Sequence, residues 1–132
     1  MYSDKVIEHF MSPQNAYYMP EADGVGTIGD PGCGDNCMIF IKVQDEIIHD
    51  ISFLIFGCGA AVASGSMTTT LAKGKSIKTA LEITEQEVID ALEGLPEVKQ
   101  HCSNLGVAAL QAAIKDYLIK QGKTLEEYIG GR

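Results

Sequence analysis

The sequence predicts an α+β domain: a small antiparallel β-sheet of about three strands packed against several α-helices. Three observations lead there. Two runs with strand periodicity adjoin across a two-residue turn, one carrying Ile39, Ile41 and Val43 and the other covering 47–56. Most of the helical patterns follow the strands. Strands and helices do not alternate, as they would in a parallel α/β sheet. At 132 residues the chain suits one domain spanning 1–132. A domain of that size buries roughly two-thirds of its unfolded surface and needs no disulfide staples.

Taken in order, residues 3–10 place Val6, Ile7 and Phe10 at helical spacing behind the caps Ser3 and Asp4, and Pro13 ends the run. Residues 12–20 read as irregular. A short edge strand is expected over 24–30, on the weak support of its glycines and Thr27. In the next strand Ile39, Ile41 and Val43 share one face, with Phe40 and Lys42 on the other. Asp45-Glu46 makes the hairpin turn. In the strand 47–56, Ile51, Phe53 and Ile55 share a face, while Leu54 and Phe56 make the opposite face apolar, so both sides of the sheet's far end are expected to be covered. A helix over 60–73 is built from small residues with Val62, Met67 and Leu71 and stops at Gly74. Its Thr68-Thr69-Thr70 run is poor helix material, so this helix must rely on tertiary packing. Thr84-Glu85-Gln86-Glu87 is a capping box for a helix carrying Val88, Ile89 and Leu92, closed by Gly94 and Pro96. The longest helix runs over 103–121 with the stripe Val107, Leu110, Ile114, Tyr117 and Leu118. A second capping box, Thr124 to Glu127, opens a short tail helix.

A formal net charge of −8 and a pI near 4.7 argue against nucleic acid as a partner, because such a surface repels phosphates. No apolar run approaches the roughly 18 residues of a membrane span, and the N-terminus lacks the layout of a signal peptide. The expected location is cytoplasmic, where thiols stay reduced. Four cysteines in that setting point to metal or redox chemistry.

Three cysteines sit beside glycine turns or a helix start: Cys33 in Pro31-Gly32-Cys33-Gly34-Asp35, Cys58 in Phe56-Gly57-Cys58-Gly59-Ala60, and Cys102 in His101-Cys102-Ser103-Asn104. With Asp35 and His101 they offer three thiolates, a carboxylate and an imidazole. That is the ligand set of a metal or iron–sulfur site, and its mixed hardness suits loading and unloading. Cys102 directly precedes the long helix, where unpaired N–H groups and the macrodipole favour a thiolate; a small buried residue at a helix start fits the same position. Gly57 and Gly59 let the backbone approach a bound group closely, or they only make the turn. Asp35 reads as a ligand or as a turn former. Cys37 has the strand parity of Ile39 and Ile41 and is assigned to the core. His9 and His49 have no cysteine beside them and are read as structural.

The spacings between the cysteines are three, twenty and forty-three residues. They contain no C-x-x-C, which excludes zinc ribbons and a thioredoxin motif. The zinc deaminase signature, a Walker loop and GxGxxG are likewise absent.

The segments Gly29 to Asp35, Phe56 to Ala60 and Lys99 to Leu105, in this order and spacing, resemble the three signature segments of the IscU/NifU iron–sulfur cluster scaffolds. The opening Tyr2-Ser3-Asp4-Lys5-Val6 with His9-Phe10 is similar too. The resemblance covers nearly the whole chain and implies an IscU/SufE-like fold and a non-enzymatic role. A [2Fe–2S] cluster would be assembled from iron and from persulfide sulfur supplied by a cysteine desulfurase, with a ferredoxin as electron donor, and passed to apo iron–sulfur proteins. It further implies Cys33, Cys58 and Cys102 as ligands, Asp35 as the residue linked to cluster lability, His101 as an alternative fourth ligand and Cys102 as persulfide acceptor. Zinc would occupy the same residues in the cluster-free form. An Hsp70-type chaperone is a further partner in the family, while the sequence leaves open whether the chain is a homo-oligomer. In the segment that the chaperone reads, Leu95-Pro96-Glu97-Val98-Lys99 departs from the family's Leu-Pro-Pro-Val-Lys. The short Cys58–Cys102 interval and His101 set the chain apart from the zinc-dependent SufU branch, the main rival reading as a sulfur-transfer protein. A thiol redox protein using Cys33 and Cys37, and a structural zinc domain, are further alternatives.

Overall fold

The computed structural model describes residues 2–29, 35–96, 100 and 102–122, without the side chains of Cys102 and Ser103. Its elements are α1 (Asp4–Met11), β1 (Gly24–Gly29), β2 (Asn36–Gln44), β3 (Ile47–Phe56), α2 (Gly59–Ala72), α3 (Ile77–Leu81), α4 (Glu85–Ala91) and α5 (Cys102–Lys120). The three strands form one antiparallel sheet in the order β1-β2-β3. Helices α2 and α5 pack on its inner face and on each other, with α1 and α4 against α2. This is the α+β architecture expected from the sequence.

The β2–β3 hairpin turns at Asp45 and Glu46, both with positive φ (55° and 66°). That left-handed pair matches the twist of the flanking strands. The pairing shifts between Lys42 and Val43: Lys42 faces Asp50 and Val43 faces Ile48, so His49 is an extra residue. The bulge explains why Ile48 and Ile51, an odd interval apart, are both fully buried. Beyond it the inner face reads as the periodicity predicts, with Ile39, Ile41, Ile51 and Phe53 buried and Ile55 half-buried.

The outer face departs from expectation. Leu54 is 40% and Phe56 77% exposed, so the sheet's far end is covered on one side only. Cover on the outer face reaches Phe40, against which Tyr18 packs edge-on at 5.4 Å between ring centroids. Each sheet edge has part of its backbone engaged, which blunts it as a template for further pairing. On β3, Phe53 N donates to Asn15 O (2.8 Å) and Ile48 N to Lys75 O (2.9 Å). On β1, Val25 N donates to the Asp116 carboxylate (2.9 Å), which also pairs with Lys120 (3.0 Å).

The Ser3 hydroxyl caps α1 by accepting from Val6 N (3.1 Å) and itself donates to the Leu92 carbonyl. The buried face of α1 is Val6 and His9, three residues apart, whereas Ile7 and Phe10 are each 48% exposed. The sequence reading grouped Ile7 and Phe10 with Val6; α2 instead supplies a polar socket that takes the imidazole. His9 Nδ1 lies 2.6 Å from Ser66 Oγ, which accepts from Gln14 N at 2.8 Å. The two side chains share a buried hydrogen bond that holds the imidazole in place. Burial holds its pKa below 6.5, with Lys5 adding to that shift and Glu8 opposing it.

Helix α2 is buried along most of its length, and its small residues allow that. A Cβ at Gly65 would stand 2.8 Å from the Phe53 ring, and one at Gly106 of α5 would stand 2.6 Å from Thr68 Oγ1. The threonines that disfavour a helix in isolation turn their hydroxyls back on the helix, Thr69 to Gly65 O (3.0 Å) and Thr70 to Ser66 O (2.7 Å). Helix α5 lies on β1 with backbone against backbone. A side chain at Gly24 would overlap the Ala113 carbonyl, and one at Gly26 the Ala109 carbonyl. Helix α3 was not foreseen: five residues capped by Ser76 are too short to show periodicity. The capping box at Thr84 and Glu87 forms as expected. The tail helix expected from Thr124 lies outside the described residues.

Two measurements test this packing. Gly26→Ala should cost about 1–3 kcal/mol in denaturant unfolding. Gly29→Ala should be tolerated, because the nearest atom a Cβ would meet there, Asn36 Cβ, is 3.7 Å away. For His9, the unfolded chain takes up the imidazole proton near pH 6.5 and the folded chain only at lower pH. In between, the unfolded state binds more protons, so acidification below pH 6.5 removes stability. Its share of the slope is at most about 1.4 kcal/mol per pH unit. Wild type minus His9→Gln stability, measured from pH 7.5 to 5, should show that slope.

Candidate metal centre

The sheet register aligns Gly29, Asn36 and Phe56 in one row at one end of the sheet. One step further out, Asp35 enters β2 and Gly57 leaves β3, and their parity continues the inner face. Cys58 then follows as the N-cap of α2, in extended conformation. Helix α5 points its start at the same end: Gly24 meets Ala113 and Tyr117, whereas Gly26 meets Ala109 and Ala112, so moving forward along β1 means moving back along α5 toward Cys102. Two helix starts therefore face the end where β1 finishes and β2 begins. Each brings the positive end of a helix dipole to that end of the sheet.

The described core of the site is the pair Asp35 and Cys58, with Cys58 Sγ 4.0 Å from Asp35 Oδ2. Their closeness depends on Gly57. A Cβ there would stand 2.9 Å from both Asp35 Cγ and Ala61 Cβ. At Gly59 a Cβ would come within 3.3 Å of the Phe10 ring. Neither glycine has positive φ. At both positions the missing side chain makes room for neighbouring protein atoms, those of Asp35 and Ala61 at Gly57 and of Phe10 at Gly59. Phe10 is a neighbour of the site that sequence reasoning missed; a contact between residues so far apart leaves no local signal.

Cys102 is the first residue of α5 rather than the residue before it, one position from expectation. Cys33, His101 and the Cys102 side chain lie outside the described residues. Among the described residues no group of three or more His, Cys, Asp or Glu is placed to hold a metal ion. Asp35 and Cys58 are the part of the five-residue set that the structure brings together.

Cys37 is where strand parity puts it. It faces Ile28 on one side and Ile55 on the other, is 0% exposed, and burial pushes its thiol up to about 12. A thiol held protonated in the core neither binds a metal nor exchanges disulfides. Iodoacetamide at pH 8 should therefore leave Cys37 unmodified in the native chain over a time that alkylates Cys58. In denaturant both should react, with peptide mass spectrometry reporting each site.

Comparison with known proteins agrees with this architecture. Residues 1–124 match the family model described as NifU-like N terminal domain. The iron–sulfur cluster assembly scaffold protein IscU 1 of Archaeoglobus fulgidus is 56% identical over 123 residues, covering 93% of this chain and 80% of that protein. IscU of Escherichia coli K12 is 45% identical over 124 residues, covering 91% and 96%. Among solved structures, a SUF-system scaffold protein from Fervidobacterium islandicum superposes with a TM-score of 0.71 over 86% of this chain and 96% of that one. At 21% identity that likeness is one of fold. By sequence match along nearly its whole length, the chain belongs to the NifU-like N-terminal domain family.

Proposed function

We propose that this chain is a non-enzymatic scaffold on which a [2Fe–2S] cluster is built and from which it is released to apo-proteins. Iron and sulfide are its cargo rather than a resident cofactor. Cys33, Cys58 and Cys102 supply thiolates, and Asp35 and His101 compete for the remaining position. Cys102, first in α5, takes up persulfide sulfur from a cysteine desulfurase of the IscS/NifS type, and a ferredoxin supplies electrons. In the cluster-free chain zinc binds the same residues. Of the described helices, none is long and apolar enough to cross a membrane, in keeping with a cytoplasmic role. An Hsp70-type chaperone is a further partner, reading a segment that carries Glu97 where the family has proline.

The observation that carries this reading is the Asp35 carboxylate lying 4.0 Å from Cys58 Sγ at a helix start. A hard oxygen ligand beside soft thiolates binds an iron–sulfur centre less firmly than a fourth sulfur would, which favours release. The IscU relatives at 45–56% identity support it over a SufU-type zinc protein.

Anaerobic reconstitution with ferrous iron and sulfide should give the absorption and Mössbauer spectrum of a [2Fe–2S] cluster that moves to an apo-ferredoxin. Asp35→Ala should slow that transfer by about tenfold, with folding checked by circular dichroism. An unchanged transfer rate would remove Asp35 from the mechanism. Tightly held zinc with no visible chromophore would replace the scaffold reading with the sulfur-transfer one.

A further inference from the structure

The turn between α3 and α4, together with α4, stands off from the first half of α5 and leaves an open groove of about 860 Å³. Its floor is aliphatic, formed by the largely buried Ile83, Ile89 and Val107. One wall belongs to α5, where Asn104 and Gln111 flank Val107 on the same helix face. The opposite rim carries the exposed carboxylates Glu82 and Glu85. Neighbouring acidic groups are already engaged: Glu87 closes the capping box on Thr84, and Asp90 accepts from Gln86 Nε2 at 2.8 Å. Glu82 and Glu85 are in no ion pair among the described residues, and no basic residue is among the described residues that line the groove.

We propose that this groove binds an extended, basic segment of a partner protein. An extended main chain presents N–H and C=O groups that need partners, and side-chain carboxamides offer both a donor and an acceptor. The aliphatic floor accepts one or two apolar side chains, and the unpaired rim carboxylates select lysine or arginine beside them. The chain's net charge of −8 favours the same sign of partner and disfavours nucleic acid. A small molecule would be covered on one side only in so open a groove. One end of the groove is Asn104, two residues beyond Cys102, so a bound segment would lie beside the start of α5. The proposal goes beyond the scaffold reading and does not rest on it, because binding is measured on the cluster-free chain.

The probe is a fluorescein-labelled octapeptide of alternating lysine and valine, with its glutamate–valine counterpart as control. Anisotropy should show binding of the basic peptide only, and amide shifts should concentrate at Ile83, Ile89 and Val107. The double reversal Glu82→Lys, Glu85→Lys should weaken the basic peptide by about tenfold or more and admit the acidic one, with an unchanged circular dichroism spectrum confirming the fold. Gln111→Arg, which places a cation in the wall, should act in the same direction. Absence of binding, unchanged affinity in the double reversal, or shifts centred on Leu54 and Phe56 would overturn the proposal.

Discussion

The contact on which the other placements depend is the backbone-to-backbone packing of α5 on β1. Gly24 and Gly26 remove the side chains that would hold the two apart, and Ala109 and Ala113 answer with small residues on the helix. Such an interface has little lateral freedom, because no flexible side chain lies between the two backbones to repack. The Asp116 carboxylate on Val25 N pins the same pair along the strand. Together these fix the direction of α5 and so the end of the molecule at which it begins.

A second constraint acts from the other side of the site. Helix α2 is built from residues too small to give it a strong stripe of its own, and it is held by what surrounds it: Phe53 over Gly65, Gly106 against Thr68, and the His9–Ser66 contact. Its start is fixed by the end of β3, and the hairpin register fixes β3. Cys58 thus lies two residues past the end of the strand and is the cap from which the helix begins. Asp35 reaches it because Gly57 leaves the space open. The chemistry proposed for the pair is a consequence of covalent connectivity and steric clearance more than of any special local charge.

Much of this was legible in the sequence. The two strands of the hairpin, the Asp45-Glu46 turn, the Thr84 capping box, the stripe on α5 and the inward parity of Cys37 all express local periodicity or turn chemistry, which a single chain displays openly. The exceptions were the features decided by distant partners. The bulge at His49 is invisible until two strands are paired. The α1 face was misassigned because the socket for His9 is supplied by Ser66, far along the chain. Leu54 and Phe56 look like core residues from composition alone, yet cover on that face reaches Phe40 and stops short of them. At the site, the grouping of Cys33, Asp35, Cys58, His101 and Cys102 came from spacing and family resemblance. Among the described residues, the structure bears on the Asp35–Cys58 part of it.

Helix α1 has eight residues, too few to persist as a helix without support, and two of them hold it to the body of the protein. The Phe10 ring at its far end nonetheless packs beside Gly59, the residue after Cys58. One neighbour of the turn around Cys58 is thereby supplied by the N-terminal helix. An affinity tag or leader fused ahead of Tyr2 is for this reason not a neutral label: anything that displaces the helix also moves the ring that packs beside Gly59, one residue from Cys58.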